Sequence, residues 1–446
     1  MRKLTAVLLS MLLALAVVFT AYAAELPAFD AFKLGTDYTD LTATLKVLTH
    51  RTDLLESGAF AKYLAEFNKM YPNITVEYEG ITDYASEALI RLTGSDNWGD
   101  IMMLPEVEVD EYPTYFAPFG KVADMQATYN FIDNRQFDGV VYGIPSTGNA
   151  QGIVYNKAVF EKAGVTELPK TPEEFIAALQ KIKDNTDAIP LYTNYAAGWT
   201  MGAWDAYISG SATGDGDYAN QKMLHTKAPF ADPGNGAGPY NVYKVLFDAT
   251  AKKLIEDDYT TTDWESSKPM INNGEIGCMV LGSWAYSQMR DAGEHGGDIG
   301  YMTFPISVNG KQYASAGADY CYAINAKADI NQQTAAMVYI KWLTYESGFA
   351  YNEGGIPIVK TGEYPDLYAS FDGVQFVPDN PALPGEETLK NDLNAESTLM
   401  INAGGNTKIQ QLIEAAFNGT KAFDDIMGEW NTLWADAQTA LKVEAE

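Results

Sequence analysis

The stretch Gly274-Glu275-Ile276-Gly277-Cys278-Met279-Val280-Leu281-Gly282-Ser283-Trp284-Ala285-Tyr286 puts a tryptophan where a binding surface can use it. An apolar run of strand length, Ile276 to Leu281, opens after a glycine and closes into Gly282-Ser283. Ser287-Gln288-Met289-Arg290 then starts a helix. Glycine lets the backbone turn sharply beside the indole, so Trp284 can face an opening. The plainer reading is a core ring packed beside the sheet. Polar candidates stand at other loops: Arg51, Asp53, Tyr84, Glu106, and Asp319, a carboxylate beside an apolar run that needs a partner. Flat rings with carboxylates and an arginine can capture, without covalent chemistry, a ligand that has apolar faces and a rim of hydroxyls. Each polar residue also has a plain reading: a helix cap for Asp53, a solvated face for Glu106, a local ion pair for Arg51.

Bond-making chemistry finds little support. The three histidines, His50, His225 and His295, are not at ligand spacing, so no zinc site is read and no cofactor is expected. Neither a Gly-x-Ser-x-Gly elbow nor a phosphate-binding Gly-Lys-Ser/Thr loop occurs. Asp215-Gly216-Asp217 lacks the remaining ligands of a calcium loop. Carboxylate pairs abound, so counting acids leaves a glycosidase open.

The elements that must position these groups follow from periodicity. Ala43 to Thr49 reads as a strand, Gly58 to Tyr71 as an amphipathic helix, and Ile74 to Tyr78 as a second strand. A helix over Tyr84 to Leu92 and a strand over Asp100 to Leu104 complete a β-α-β-α-β order, which predicts a parallel sheet. Ligand-contacting loops then lie at the carboxyl ends of the strands, over residues 50–55, 80–84 and 105–109. A second α/β region holds a strand at Gly152 to Tyr155, a helix at Pro172 to Asp184 and a strand at Ile189 to Thr193. Tyr313 to Asn325 reads as one returning strand before a helix over Gln333 to Tyr345, and two more helices end the chain.

Arg2 and Lys3, the apolar run Ala6 to Thr20 and the small-x-small pattern Ala21-Tyr22-Ala23 read as a secretory leader cleaved after about Ala23. No cysteine follows the run, so no lipid anchor is expected. Without the leader, 28 basic residues face 59 acidic ones, a net charge of about −31, which makes nucleic acid a poor partner. Some 420 remaining residues, by rough count, predict two domains. Cys278 and Cys321 both lie in apolar runs and read as buried free thiols, with a disulfide the alternative.

Several segments, in order, resemble the extracellular solute-binding protein family 1, the sugar-binding proteins of ABC importers. Leu45 to Thr49 with a helix ending Tyr71-Pro72-Asn73-Ile74 is similar to the family's opening. Trp98-Gly99-Asp100-Ile101-Met102 resembles its PDI strand, with Gly99 in place of proline. Tyr142-Gly143-Ile144-Pro145 with Val154-Tyr155-Asn156-Lys157 resembles its YG(I/L)P…YNK crossing. Leu168 to Phe175 resembles its helix start, with Pro172 where tryptophan is usual. The segment carrying Trp284 is similar to its GE-x-AM-x-x-x-GSWA signature, Ala316 to Ile324 to its return strand, and Ile340-Lys341-Trp342-Leu343-Thr344 with Gly354-Gly355-Ile356-Pro357 to its KWLT…G-x-(I/L)P stretch.

The resemblance implies an α/β, periplasmic-binding-protein type II fold, with two α/β lobes around a ligand cleft. It divides the chain into residues 24–148 with 320–370, and 149–319 with 371–446. Hinges are expected near Thr147 to Gln151, Gly317 to Tyr322 and Tyr364 to Phe376. It implies a monomeric, non-enzymatic extracytoplasmic receptor that captures a sugar or oligosaccharide by hinge closure and delivers it to an ABC permease. Trp199, just past a strand and after Gly198, becomes a second ring for the ligand, while Trp204 reads as core. Gly355 and Ile356 become backbone contacts lining the cleft. The alternatives are a receptor for a peptide or polyamine, or a secreted glycan-active enzyme.

Overall fold

A computed structural model of the chain describes residues 26–94, 98–404 and 406–446. The leader reading lies outside the described residues. In chain order, the strands that shape the site are β1 (Ala43–Thr49), β2 (Ile74–Gly80), β3 (Ile101–Met103), β4 (Ile144–Pro145), β5 (Gly148–Asn156), β6 (Ile189–Leu191), β7 (Ile276–Gly282), β8 (Ile299–Thr303), β9 (Tyr313–Ala318), β10 (Cys321–Ile324) and β11 (Gln375–Pro378). They form two main sheets. The first runs β2-β1-β3-β10-β4, with β1 parallel to both β2 and β3, as the alternating helices require. The second runs β11-β9-β5-β7-β6, with β8 paired to β5.

Each sheet has its own core. Leu45, Val47, Ile74, Ile101 and Met102 of the first pack with Tyr339 and Trp342 of the helix Ile330–Tyr345. Around the second sheet, Ile153, Cys278 and Val280 pack against Leu179, Leu246, Ile413 and Trp434 from four helices. A smaller cluster on that sheet joins Met279 and Leu281 to Ile356, Leu367, Tyr368 and Phe371. Both cysteines are free and fully buried, one in each sheet. Trp204 is core, on a short 3-10 segment.

The expected single strand Tyr313 to Asn325 is two strands, β9 and β10, in different sheets. Asp319 and Tyr320 lie at the break, where the chain leaves the second sheet for the first. The opposite passage, at Ser146 and Thr147, runs alongside: Asp319 N–H donates to the Thr147 carbonyl at 2.8 Å and Ser146 N–H to the Tyr320 carbonyl at 3.0 Å. The chain touches the second sheet's cluster at Ile356 and returns to the first core at Ile358 and Val359, where Lys360 N–H donates to the Thr128 carbonyl at 2.9 Å. It rejoins the second sheet's cluster at Leu367, Tyr368 and Phe371, so the last passage falls between Lys360 and Leu367, at the start of the expected 364–376. Among the described residues no helix is long and apolar enough to cross a membrane.

Candidate functional site

Three tryptophans meet at one edge of the second sheet. Trp284 opens the helix Trp284–Arg290 directly after β7 and Ser283. Its indole lies over Gly282, where a Cβ would come within 2.5 Å of the ring nitrogen, so only glycine leaves it room. Ser283 fixes the turn: its N–H donates to the Ala150 carbonyl at 2.9 Å and its Oγ accepts the Ala150 N–H at 3.1 Å. Trp199 follows Gly198, whose φ of +62° favours glycine, and is 45% exposed. Trp264 starts the helix Trp264–Asn272, capped by Asp263, whose carboxylate accepts the Ser266 N–H at 2.8 Å. Ring centroids are 5.1 Å apart for Trp199–Trp264, 5.6 Å for Trp199–Trp284 and 5.8 Å for Trp264–Trp284, all tilted or edge-on. Such angled contacts hold each indole in place and leave the outer faces of half-buried rings for a ligand.

The loop after β1 carries the polar groups. Arg51 donates to both oxygens of Asp53, at 2.8 and 2.7 Å, and to Glu353 at 2.8 Å. Burial raises the Asp53 carboxyl, but the Arg51 hydrogen bonds outweigh it and hold the acid below its usual range; Lys268, four residues after Trp264, pulls the same way. Lys268 itself sits 5.0 Å from the Trp264 ring centroid and pairs with Glu265. Asp53 therefore lies on the side of the first sheet that faces the tryptophans. Glu106 is held likewise: surrounding protein raises its carboxyl, and Arg135, at 2.5 Å, outweighs that and lowers it. Its side chain is 83% exposed, so the Arg135 pair is open to solvent. Lys390, from the second sheet's side of the molecule, adds to the pull on Glu106.

A carboxylate has about four lone-pair positions, and a bidentate arginine fills two. Asp53 and Glu106 thus remain acceptors for hydroxyl donors, each held by an arginine. The cap reading of Asp53 fails, since the helix Thr52–Glu56 has no side-chain cap. Asp319 stands at the crossing, its Oδ1 accepting the Tyr320 N–H at 2.7 Å.

Other expected residues are committed to protein partners. The Tyr84 hydroxyl is buried and donates to the Met103 carbonyl at 2.7 Å. Ile356 N–H and C=O both pair with Gly148, at 2.6 and 2.8 Å. Gly355 is buried against Thr147, where a Cβ would overlap Oγ1. These three shape the cleft without offering it a free polar group.

Sequence reasoning missed Trp264, although Asp263 before it is a cap residue and fixes it at a helix start. It also missed Arg135 and Glu353, which come from distant segments and carry no local signal, and the pairing of His50 with Tyr320. The Asp215 and Asp217 carboxylates flank Lys222, at 2.5 and 3.6 Å.

Residues 52–348 match the family of bacterial extracellular solute-binding proteins. A manno-oligosaccharide specific solute binding protein of Bifidobacterium animalis subsp. lactis, solved with mannotriose, is 48% identical, with a TM-score of 0.91 over 94% of this chain and 99% of that one. A second binding protein of an ABC transporter from the same organism, solved with mannobiose, is 47% identical, with a TM-score of 0.90 over 93% of this chain and 99% of that one. An ABC transporter extracellular-binding protein of Pyrococcus horikoshii is 24% identical over 56% of this chain; the match spans 58% of that protein's length.

Proposed function

The chain belongs to the bacterial extracellular solute-binding protein family, and we propose that it captures an oligosaccharide, manno-oligosaccharides first, and hands it to an ABC permease. The observation that carries this reading is the pairing of two surfaces. Angled indoles of Trp199, Trp264 and Trp284 stand on one side, and arginine-held carboxylates, Asp53 and Glu106, stand on the other. The rings cover the C–H faces of a sugar and the carboxylates take its hydroxyl protons. Asp319 adds an acceptor at the crossing; Arg51 contributes through Asp53; Tyr84, Gly355 and Ile356 contribute shape.

The two lobes are residues 24–148 and 149–319, each completed by later segments, with the last boundary between Lys360 and Leu367. Closure bends the chain at the paired crossings 146–147 and 319–320, and the ligand, touching both lobes, shifts the population to the closed form. The protein works outside the cytoplasm as a monomer, after removal of a leader at about Ala23.

Two observations weigh against a glycan-active enzyme. A glycosidase needs one carboxyl raised to act as an acid, and Asp53 and Glu106 are both lowered. Glu256, pushed up to about 7 by burial, is only 4% exposed and accepts the Thr193 N–H at 2.9 Å, so its carboxyl is closed to a substrate. Titration calorimetry with mannobiose, mannotriose, raffinose, spermidine and a tripeptide tests the reading. Binding of a manno-oligosaccharide with compaction in small-angle scattering is expected; binding of spermidine or the peptide alone would overturn it.

A further inference from the structure

His50 closes β1 and stands next to Arg51, yet no bond in the site accounts for it. Its ring lies against Tyr320, with centroids 4.5 Å apart and planes at 37°, and Tyr84 meets it edge-on at 5.9 Å. Tyr84 and Tyr320 in turn pack edge-on at 5.5 Å, so two mutually packed rings lock the imidazole's plane. Nδ1 is enclosed and has no hydrogen-bond partner. Nε2 is not enclosed, and it too has no protein partner among the described residues.

The two nitrogens differ in what they can carry. A proton on the enclosed Nδ1 would be a buried N–H without an acceptor, at a cost of about 1–3 kcal/mol. Imidazolium carries that same proton and a buried charge as well. The neutral form with its proton on Nε2 is the one that leaves no donor stranded. The surrounding charges come from three elements: Arg51 and Asp53 on the same loop, Asp319 at the crossing, with Tyr84 and Tyr320 as the neighbouring hydroxyls. Burial lowers the imidazole most, Asp319 opposes it, Arg51 assists it and Asp53 opposes it, and the ring is held to about 4. At neutral pH the ring is an uncharged, fixed donor at the cleft end of β1.

We propose that His50 is a further ligand-contacting residue, whose Nε2–H donates to a hydroxyl oxygen of the bound sugar. This rests on the oligosaccharide reading and adds to it a fixed donor. Asp53, Glu106 and Asp319 accept, and His50 donates beside the indole N–H groups of the tryptophans. A sugar hydroxyl is donor and acceptor at once, and His50 supplies a donor for its oxygen. The ring's fixed plane makes the contact directional, so it discriminates between epimers that differ at that hydroxyl.

The test joins nitrogen NMR of the imidazole with calorimetry on mannotriose. In the ligand-free protein at pH 7 the proton is expected on Nε2; finding it on Nδ1 would overturn the proposal whatever the ligand. At saturating mannotriose the Nε2 and Hε2 resonances are expected to shift. His50→Phe keeps the ring and removes the donor, and should weaken binding by about threefold to tenfold. His50→Gln keeps an amide donor and should stay within about threefold of the unaltered protein. Unmoved resonances, or a His50→Phe variant that melts normally and binds as tightly as the parent, would refute the contact. A parent protein that binds none of the sugars would refute the oligosaccharide reading, and with it this contact's ligand, even with the proton on Nε2.

Discussion

Replacing Arg51 with methionine removes the cation that Asp53 and Glu353 share and keeps the bulk of the side chain. Three charge-assisted hydrogen bonds disappear, at 2.8, 2.7 and 2.8 Å, from carboxylates whose side chains are 28% and 10% exposed. Each such bond is worth about 1.5–3 kcal/mol alone, but they share one donor and do not add. Removing one partner of a buried pair costs about 3–5 kcal/mol, and that is the loss expected at pH 7. The penalty depends on pH in a definite direction. In the parent, Asp53 is held below its usual range, so its contribution is full above about 3.9 and is lost as pH falls through the folded value. In the variant burial, the largest influence on Asp53, faces only the weaker pull of Lys268 and His50 and raises the acid, so stabilisation survives at low pH and is lost as pH rises. The difference between the two proteins therefore shrinks from pH 7 toward pH 4. Urea unfolding followed by tryptophan fluorescence at pH 7.0 and 4.5, conditions set by about these two pKa limits, measures it. A loss below about 1 kcal/mol at pH 7, or an equal loss at both pH values, would refute the argument that Arg51 neutralises a buried pair.

Trp199→Ala should leave the melting temperature almost unchanged, because the ring is 45% exposed, yet weaken sugar binding by about tenfold or more in calorimetry. Gly355→Ala should cost about 1–3 kcal/mol in urea unfolding, since the new methyl overlaps Thr147 and the Thr147 hydroxyl already bonds the Ile356 carbonyl at 3.1 Å. Two buried groups should set opposing slopes of stability against pH. His50, lowered from 6.5 to about 4 chiefly by burial, removes up to about 3 kcal/mol as pH falls across that window. Glu256, raised from 4.5 to about 7 chiefly by burial, removes a similar amount as pH climbs across its own. His50→Gln should therefore lose stability, and Glu256→Gln gain it, on going from about pH 4.5 to 7 in denaturant melts; parallel profiles for the two variants would contradict both assignments.

Periodicity and punctuation determined much of this protein by themselves. The β-α-β-α-β order, the strand ending at Gly282 and the loop after Thr49 are local consequences of side-chain alternation, helix spacing and glycine, and the chain itself encodes them. Trp284 was legible for the same reason, because Gly282, which gives its indole room, is two residues away. What the tertiary structure alone decided is which distant groups meet. Arg51 finds Glu353 across some three hundred residues and Glu106 finds Arg135, and such pairings have no period to read. Tyr313 to Asn325 is continuous in its pattern, yet it breaks between two sheets at Asp319, because its halves find partners in different cores. Local sequence fixes which way a strand alternates; only the packing of whole sheets decides where it must leave one for the other, and that crossing is where Asp319 and Tyr320 stand.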